Sequence, residues 1–194
     1  MKEVFLDDLS LSNKVFKDDI LENLDFNYKS LESLEFENCK FYNLTFVRSS
    51  FKNVIFNHCE FINCVFNNSN FSDLEFKDSK IMGINILDSI INKIKFKECF
   101  LCNIDFRENK YENGIVKISR CNGIKYIKSS LKNIDYNYSE LEDLSYYETN
   151  VNNSKFYTSK LNNVDINFRE FEGSEFSNLQ ILDIVINQGI DIKE

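Results

Sequence analysis

A bulky apolar residue returns at every fifth position of this chain, and no insertion breaks the phase. From Leu31 the series runs through Phe36, Phe41, Phe46, Phe51, Phe56, Phe61, Phe66, Phe71 and Phe76. It continues through Ile81, Ile86, Ile91, Phe96, Leu101, Phe106, Tyr111 and onward to Phe171 and Phe176, with earlier members at Leu6 and Leu11. On an α-helix five residues advance the azimuth about 140° beyond one turn, which would spread these side chains over every face. The period therefore excludes a helix.

A second apolar or small residue stands two positions before each member, as in Leu44-Thr45-Phe46. That is the period-two mark of one strand face. The next pair begins three residues later and reverses parity, so the strand must turn a corner in every repeat. Five residues to a side and four sides make a square coil of 20 residues.

Stacking such coils at the strand spacing of about 4.8 Å places like residues above like. One inner column reads Phe16, Phe36, Phe56, Phe76, Phe96, Val116, Tyr136, Phe156, Phe176. A small column reads Cys39, Cys59, Ser79, Cys99, Ser119, Ser139, Ser159, and a large one Leu24, Leu44, Cys64, Ile84, Ile104, Ile124, Leu144, Val164. Asn, Asp or Gly follows two residues after many central positions, as at Asn43, Asn53, Asn63, Asp73, Gly83, Asn103, Asn113, Gly123 and Asn133. These residues tolerate positive φ. Their stricter recurrence every ten residues suggests that alternate corners use different turn types. The chain has no proline, which suits coils whose N–H groups must all pair. Lys14, Asp19 and Lys29 fall at inward positions and weaken the pattern near the amino end.

The 194 residues suit one domain with a sizeable core. A net charge of −8 argues against a phosphate-binding surface. The six cysteines show no CxxC spacing, so reduced core thiols such as Cys39, Cys59 and Cys99 are expected, and with them a cytoplasmic location. The opening Met1-Lys2-Glu3-Val4-Phe5-Leu6 meets charge too soon for a leader, and no apolar run of membrane-spanning length follows. His58, the single histidine, falls at a corner, and no phosphate loop or metal-ligand cluster occurs. The chain reads as a non-enzymatic protein without a cofactor, because catalysis usually needs a polarised pocket and a filled coil offers flat walls.

The repeated unit of a small or aliphatic residue, x, Phe or Leu, x, Asn or Gly resembles the pentapeptide-repeat family over roughly residues 4–178. The resemblance implies an all-β fold, a right-handed quadrilateral β-helix, over residues 1–178, with an irregular first coil at about 1–20. Residues 179–194 abandon the five-residue rule and read as a short helix stopped by Gly189, then a brief strand. That ending, with Met82-Gly83-Ile84-Asn85-Ile86, resembles Qnr-type members, whose tails form a dimerisation module. Carried onto this chain, the resemblance implies a homodimer joined through Leu179, Ile181, Leu182, Ile184, Val185, Ile186, Ile190 and Ile192. It also implies a rod that imitates B-form DNA and binds type II topoisomerases, chiefly DNA gyrase, in some members protecting them from quinolones. Qnr proteins carry loops projecting from their coils, and the unbroken phase here leaves no room for them.

Charge is distributed unevenly. Residues 1–40 carry 10 acids and 5 bases, residues 41–134 carry 9 and 14, and residues 135–194 carry 12 and 4. If the carboxyl ends meet in a dimer, Asp135, Glu140, Glu142, Asp143, Glu148, Asp165, Glu170, Glu172 and Glu175 gather at the centre of the rod, a candidate partner site. The basic middle, with Lys77, Lys95, Lys97 and Lys117 on one wall, departs from a uniform DNA-like charge. The other reading is a scaffold that binds a different protein through its walls, for which Tyr42, Ile62, Met82, Phe100 and Cys102 supply an outward apolar patch.

Overall fold

The computed structural model describes residues 9–192. The expected start of the first coil around Leu6 lies outside them, as do Lys193 and Glu194. From the strand Ser10–Lys17 to the strand Lys160–Asn162, parallel strands wind into a quadrilateral β-solenoid of about 8 turns. Each pairing reaches 20 residues ahead: Leu11 lies beside Leu31, Leu31 beside Phe51, Phe51 beside Phe71, and Phe71 beside Ile91. The step is still 20 where Leu141 meets Leu161 and where Lys155 bridges Glu175. A register this constant leaves no loop projecting from the described coils.

Two columns of side chains fill each half of the square. Phe16, Phe36, Phe56, Phe76 and Phe96 stack with centroid separations of 5.2, 5.0, 4.8 and 5.0 Å. Phe41 meets Phe36 and Phe56 edge-on, at 5.4 and 5.8 Å. Parallel stacking along the rod and edge contacts across it are the two favoured aromatic geometries. The ladder lapses at Val116 and resumes from Tyr136 to Phe156 and Phe176 at 4.9 Å each.

The corners share one backbone conformation. Positive φ recurs every five residues from Asn13 to Asn53 and onward with few gaps, all between 47° and 69° inside the coils. Arg48, His58, Lys93, Glu98, Glu108 and Lys128 adopt it as fully as Asn43 or Gly83. The stricter recurrence of Asn, Asp and Gly every ten residues therefore does not come from the corner φ. What alternates is the hydrogen bonding beside the corner. After every second corner comes a small polar residue: Ser49 N donates to Ser69 Oγ at 3.1 Å, Ser69 N to Ser89 Oγ at 3.0 Å, and Ser89 N to Asn109 Oδ1 at 2.9 Å. The corners between carry side-chain amide ladders, as where Asn43 Nδ2 donates to Asn23 Oδ1 at 2.9 Å.

Cys39, Cys59 and Cys99 occupy the opposite small column, as expected for core thiols. Cys59 Sγ donates to Phe36 O at 3.4 Å and Asn57 O at 3.3 Å. Burial pushes the Cys59 and Cys121 thiols up to about 12 and those of Cys64 and Cys99 to about 11. At the amino end Lys14 is exposed and Asp19 half-buried, so both ionic ends keep contact with water, whereas Lys29 is buried. Inward phase alone does not bury a charge, because long stems can carry their heads out of the core.

Helix α1, Asn178–Asn187, closes the carboxyl end. Ser177 and Gln180 form a reciprocal capping box, with Ser177 N donating to Gln180 Oε1 at 2.7 Å and Gln180 N to Ser177 Oγ at 3.2 Å. Gly189, at φ +80°, lies just beyond the C-cap Gln188 and lets the chain turn away. The expected terminal strand is not formed over residues 190–192; instead Ile190 N donates to Val185 O at 3.3 Å, folding the start of this segment back on the helix end.

Candidate protein-binding surfaces

The two capping glutamines place the helix. Gln180 Nε2 donates to Phe156 O and Ser159 O, both at 2.7 Å, and Gln188 Nε2 donates to Ile166 O at 2.8 Å. These carbonyls belong to the last coil, whose forward edge has no further coil to bond. Satisfying them fixes which helix face looks inward. Gln180 and Ile184 are buried, and Val185 is half-buried. Leu179, Leu182 and Ile186 stand on the opposite side, 73, 39 and 51 % exposed, with Ile181, Ile190 and Ile192 also open to solvent. Of the residues expected to join two copies, Ile184 packs on this chain's own coil and Val185 is half-buried, while the other six are exposed at the tip of the rod. Two grooves flank the helix, one lined by Asn163, Asp165, Ile166 and Asn187, the other by Leu161, Val164, Leu179 and Asp183.

The carboxylates expected beside that tip share its end of the rod but not one face. Register places Asp135 and Glu175 on one wall and Glu140 and Glu142 on the next. Asp143 and Glu148 sit at corners, with φ of 51° and 49°. Asp165 follows the Ser145 column on the third wall, and Glu170 and Glu172 lie on the fourth, beyond Asn152. They make a belt around the last coils.

Four are partly neutralised from neighbouring coils. Glu140 Oε1 lies 2.8 Å from Lys160 Nζ and its Oε2 lies 3.1 Å from Arg120 Nε; the hydrogen bond from Lys160 holds this carboxyl below its ordinary value. Asp135 pairs with Lys117 at 3.1 Å, and Glu148 and Glu175 with Lys128 and Lys155 at 3.9 Å. Glu142 is bonded by Asn122 and Asn162 at 2.8 and 3.1 Å, and Asp143 by Asn163 at 2.5 Å; these amides leave the negative charge intact. Glu170 Oε2 is buried without a hydrogen-bond partner. The basic wall is paired too: Lys95 and Lys97 reach Glu75 at 3.9 and 2.8 Å.

On the wall of the Cys39 column, Tyr42, Ile62, Met82 and Cys102 stack in register as a half-buried stripe, and Phe100 is exposed beside it. Tyr42 is tied down, its hydroxyl donating to Glu60 Oε2 at 2.5 Å while Lys80 reaches the same carboxylate at 3.2 Å. Burial and this bond raise the phenol to about 12. A feature that periodicity misses lies one corner away: Ile118 holds φ +53° and is 66 % exposed, and Tyr138, the next residue up that corner, is 63 % exposed at φ +65°. A β-branched residue rarely adopts this conformation, and it costs about 1–3 kcal/mol.

Four flat walls, a filled interior and a 20-residue coil define the class as a pentapeptide-repeat solenoid, a repeat scaffold. The model of the pentapeptide repeat region matches residues 29–106, and the chain is similar to pentapeptide-repeat proteins. No curated protein matches its sequence. Among solved structures it is similar to HetL, a pentapeptide repeat protein involved in heterocyst differentiation regulation from the cyanobacterium Nostoc sp. Strain PCC 7120. The identity is 8 %, the match covers 88 % of this chain and 86 % of that one, and the TM-score is 0.55. It is also similar to full-length QnrB1, a plasmid-mediated fluoroquinolone resistance protein, at 15 % identity, covering 93 % of this chain and 100 % of that one, with a TM-score of 0.48. The likeness to HetL is one of fold. Among the described residues no helix is long and apolar enough to cross a membrane.

Proposed function

We propose that this protein is a non-enzymatic rod that dimerises through helix α1 and presents the carboxylate belt of its last coils to a DNA-binding protein, with DNA gyrase the first partner to test. The observation that carries the reading is charge density. Duplex DNA bears one negative charge per roughly 1.7 Å of axis, and a solenoid advances about 4.8 Å per coil, so a mimic needs about three net negative charges in each coil. Residues 135–177, about two coils, hold the nine belt carboxylates against Lys155, Lys160 and Arg169. That is close to the required density. A dimer through the exposed Leu179, Leu182 and Ile186 joins two belts into one acidic centre. Residues 41–134, with 9 acids against 14 bases, fall far short of this density, so the mimicry is assigned to the middle of the dimer.

Binding purified gyrase to the immobilised protein while adding duplex DNA tests the proposal. A mimic is displaced by DNA and weakened by salt, because both compete for the same cationic saddle. Binding that duplex DNA leaves untouched contradicts it. A quinolone arm asks separately whether the drug is antagonised.

A second reading is favoured by Ile118. Strain at an exposed β-branched residue brings no packing in the free protein, and with Tyr138 and Phe100 it forms an apolar ridge suited to a different protein partner. Absence of gyrase binding by the native protein, together with capture of another protein that Ile118→Asn abolishes and removal of the belt charges leaves intact, supports this reading over the first.

A further inference from the structure

The aromatic core changes character in the middle of the rod. Phe41 and Phe61 stack at 4.3 Å, Phe46 and Phe66 at 5.0 Å, and Phe51 and Phe71 at 5.3 Å, but the next coil offers Ile81, Ile86 and Ile91 above these rings. Only the fourth column continues as rings, from Phe76 to Phe96 at 5.0 Å. A branched aliphatic side chain on a flat ring cannot reproduce the ring's coverage. The coil spacing is fixed by backbone hydrogen bonds, so the coils cannot close the gap by approaching each other.

The consequence is a cavity of about 40 Å³ that includes this seam, with Phe66, Phe71, Phe76, Ile81 and Ile86 in its lining, extending along the axis to Tyr111 and exposing no polar atom. Its size exceeds the one-water minimum of about 10–15 Å³, yet a water there needs two to four polar partners, and the one hydroxyl in the lining, that of Tyr111, donates to Ile94 O at 3.5 Å. A dry void also forfeits dispersion contacts on every wall. A compact apolar guest restores those contacts without breaking any hydrogen bond.

We infer that the seam between the Phe61–Phe76 coil and the Ile81–Phe96 coil is a binding site for one small, uncharged, apolar ligand of a few heavy atoms. The site is independent of the partner-binding surfaces, since it lies in the core and no belt or tip residue lines it. A ligand with a hydroxyl or amide is excluded by the same absence of partners that excludes water.

Xenon is the probe, being apolar, compact and visible by its electron density. Crystals of the full chain under xenon pressure are expected to show one xenon atom between Phe66, Ile86 and Phe71. Ile86→Phe extends the stack from Phe66 to Phe106, and the xenon peak is then expected to vanish while the melting temperature rises. If that variant does not fold, Ile81→Phe fills the neighbouring column and serves the same purpose. An empty or water-filled seam in the pressurised native protein overturns the inference, as does a xenon peak that persists in the filled variant.

Discussion

The ring of Tyr111 occupies the space that a side chain at Gly114 would need: a Cβ built on Gly114 falls against the Tyr111 Oη and Cζ atoms. Gly114 has no positive φ to explain it, and its column otherwise holds Ile94 and Ile134. The glycine is there to make room, and the buried Tyr111 fills it. Gly114→Ala is therefore expected to destabilise by about 1–3 kcal/mol through overpacking. The double change Tyr111→Leu with Gly114→Ile should recover most of that loss, because it installs the residue types of the adjacent coils. Urea denaturation of Tyr111→Leu, Gly114→Ile and the double variant measures the coupling, and strictly additive losses would refute the exchange.

Phe56 stacks between Phe36 and Phe76 at 5.0 and 4.8 Å and meets Phe41 and Phe61 edge-on. Removing the ring as Phe56→Ala should cost about 3–5 kcal/mol. A denaturation midpoint unchanged from the native protein would count against the stacked core.

Ile118→Asn is expected to stabilise by about 1 kcal/mol, since asparagine tolerates the left-handed conformation and an exposed isoleucine gives up little burial. Calorimetry reads this directly. A lower melting temperature would mean the isoleucine side chain is held by contacts that its exposure does not suggest.

Raised thiol and phenol values carry a pH dependence. Cys59 and Cys121 titrate near 12 in the fold against about 9 without it, and buried Tyr126 and Tyr136 are raised well above 10. An acid whose value rises on folding keeps its proton longer in the native state, so the unfolded chain ionises first as pH increases. The associated stability is complete below about pH 9 and is lost progressively between about 9 and 12. Thermal melts from pH 7 to 11 should fall through that window, and Tyr126→Phe should fall less steeply than the native protein. A flat profile to pH 11 would contradict the burial of these groups.

Much of the architecture is legible in sequence because one period governs it: the phase that places Phe36 inward also sets Asn43 at a corner and Cys59 in a small column. What the period hides is pairwise. It marks Gly114 only as small, when its meaning lies in Tyr111 three residues earlier. It assigns the belt carboxylates to one region, although their column positions put them on four walls and Lys117, Lys128, Lys155 and Lys160 reach four of them. In the tail, hydrophobicity alone does not distinguish Ile184 from Leu182. Their fates are separated by Gln180, whose bonds to Phe156 and Ser159 orient the helix. The expected strand at 190–192 needs an edge that a single copy does not supply.

The proposed dimer through the tips and the proposed acidic centre are tested together by one measurement, a gyrase supercoiling titration comparing the native protein with Leu182→Asp/Ile186→Asp. Both substituted residues are exposed on the outer face of α1, so the variant should stay folded and become monomeric by sedimentation. The native protein is expected to inhibit supercoiling as a dimer, and the folded monomer is expected not to. Absence of inhibition by the native dimer, or full inhibition by the folded monomer, would contradict it.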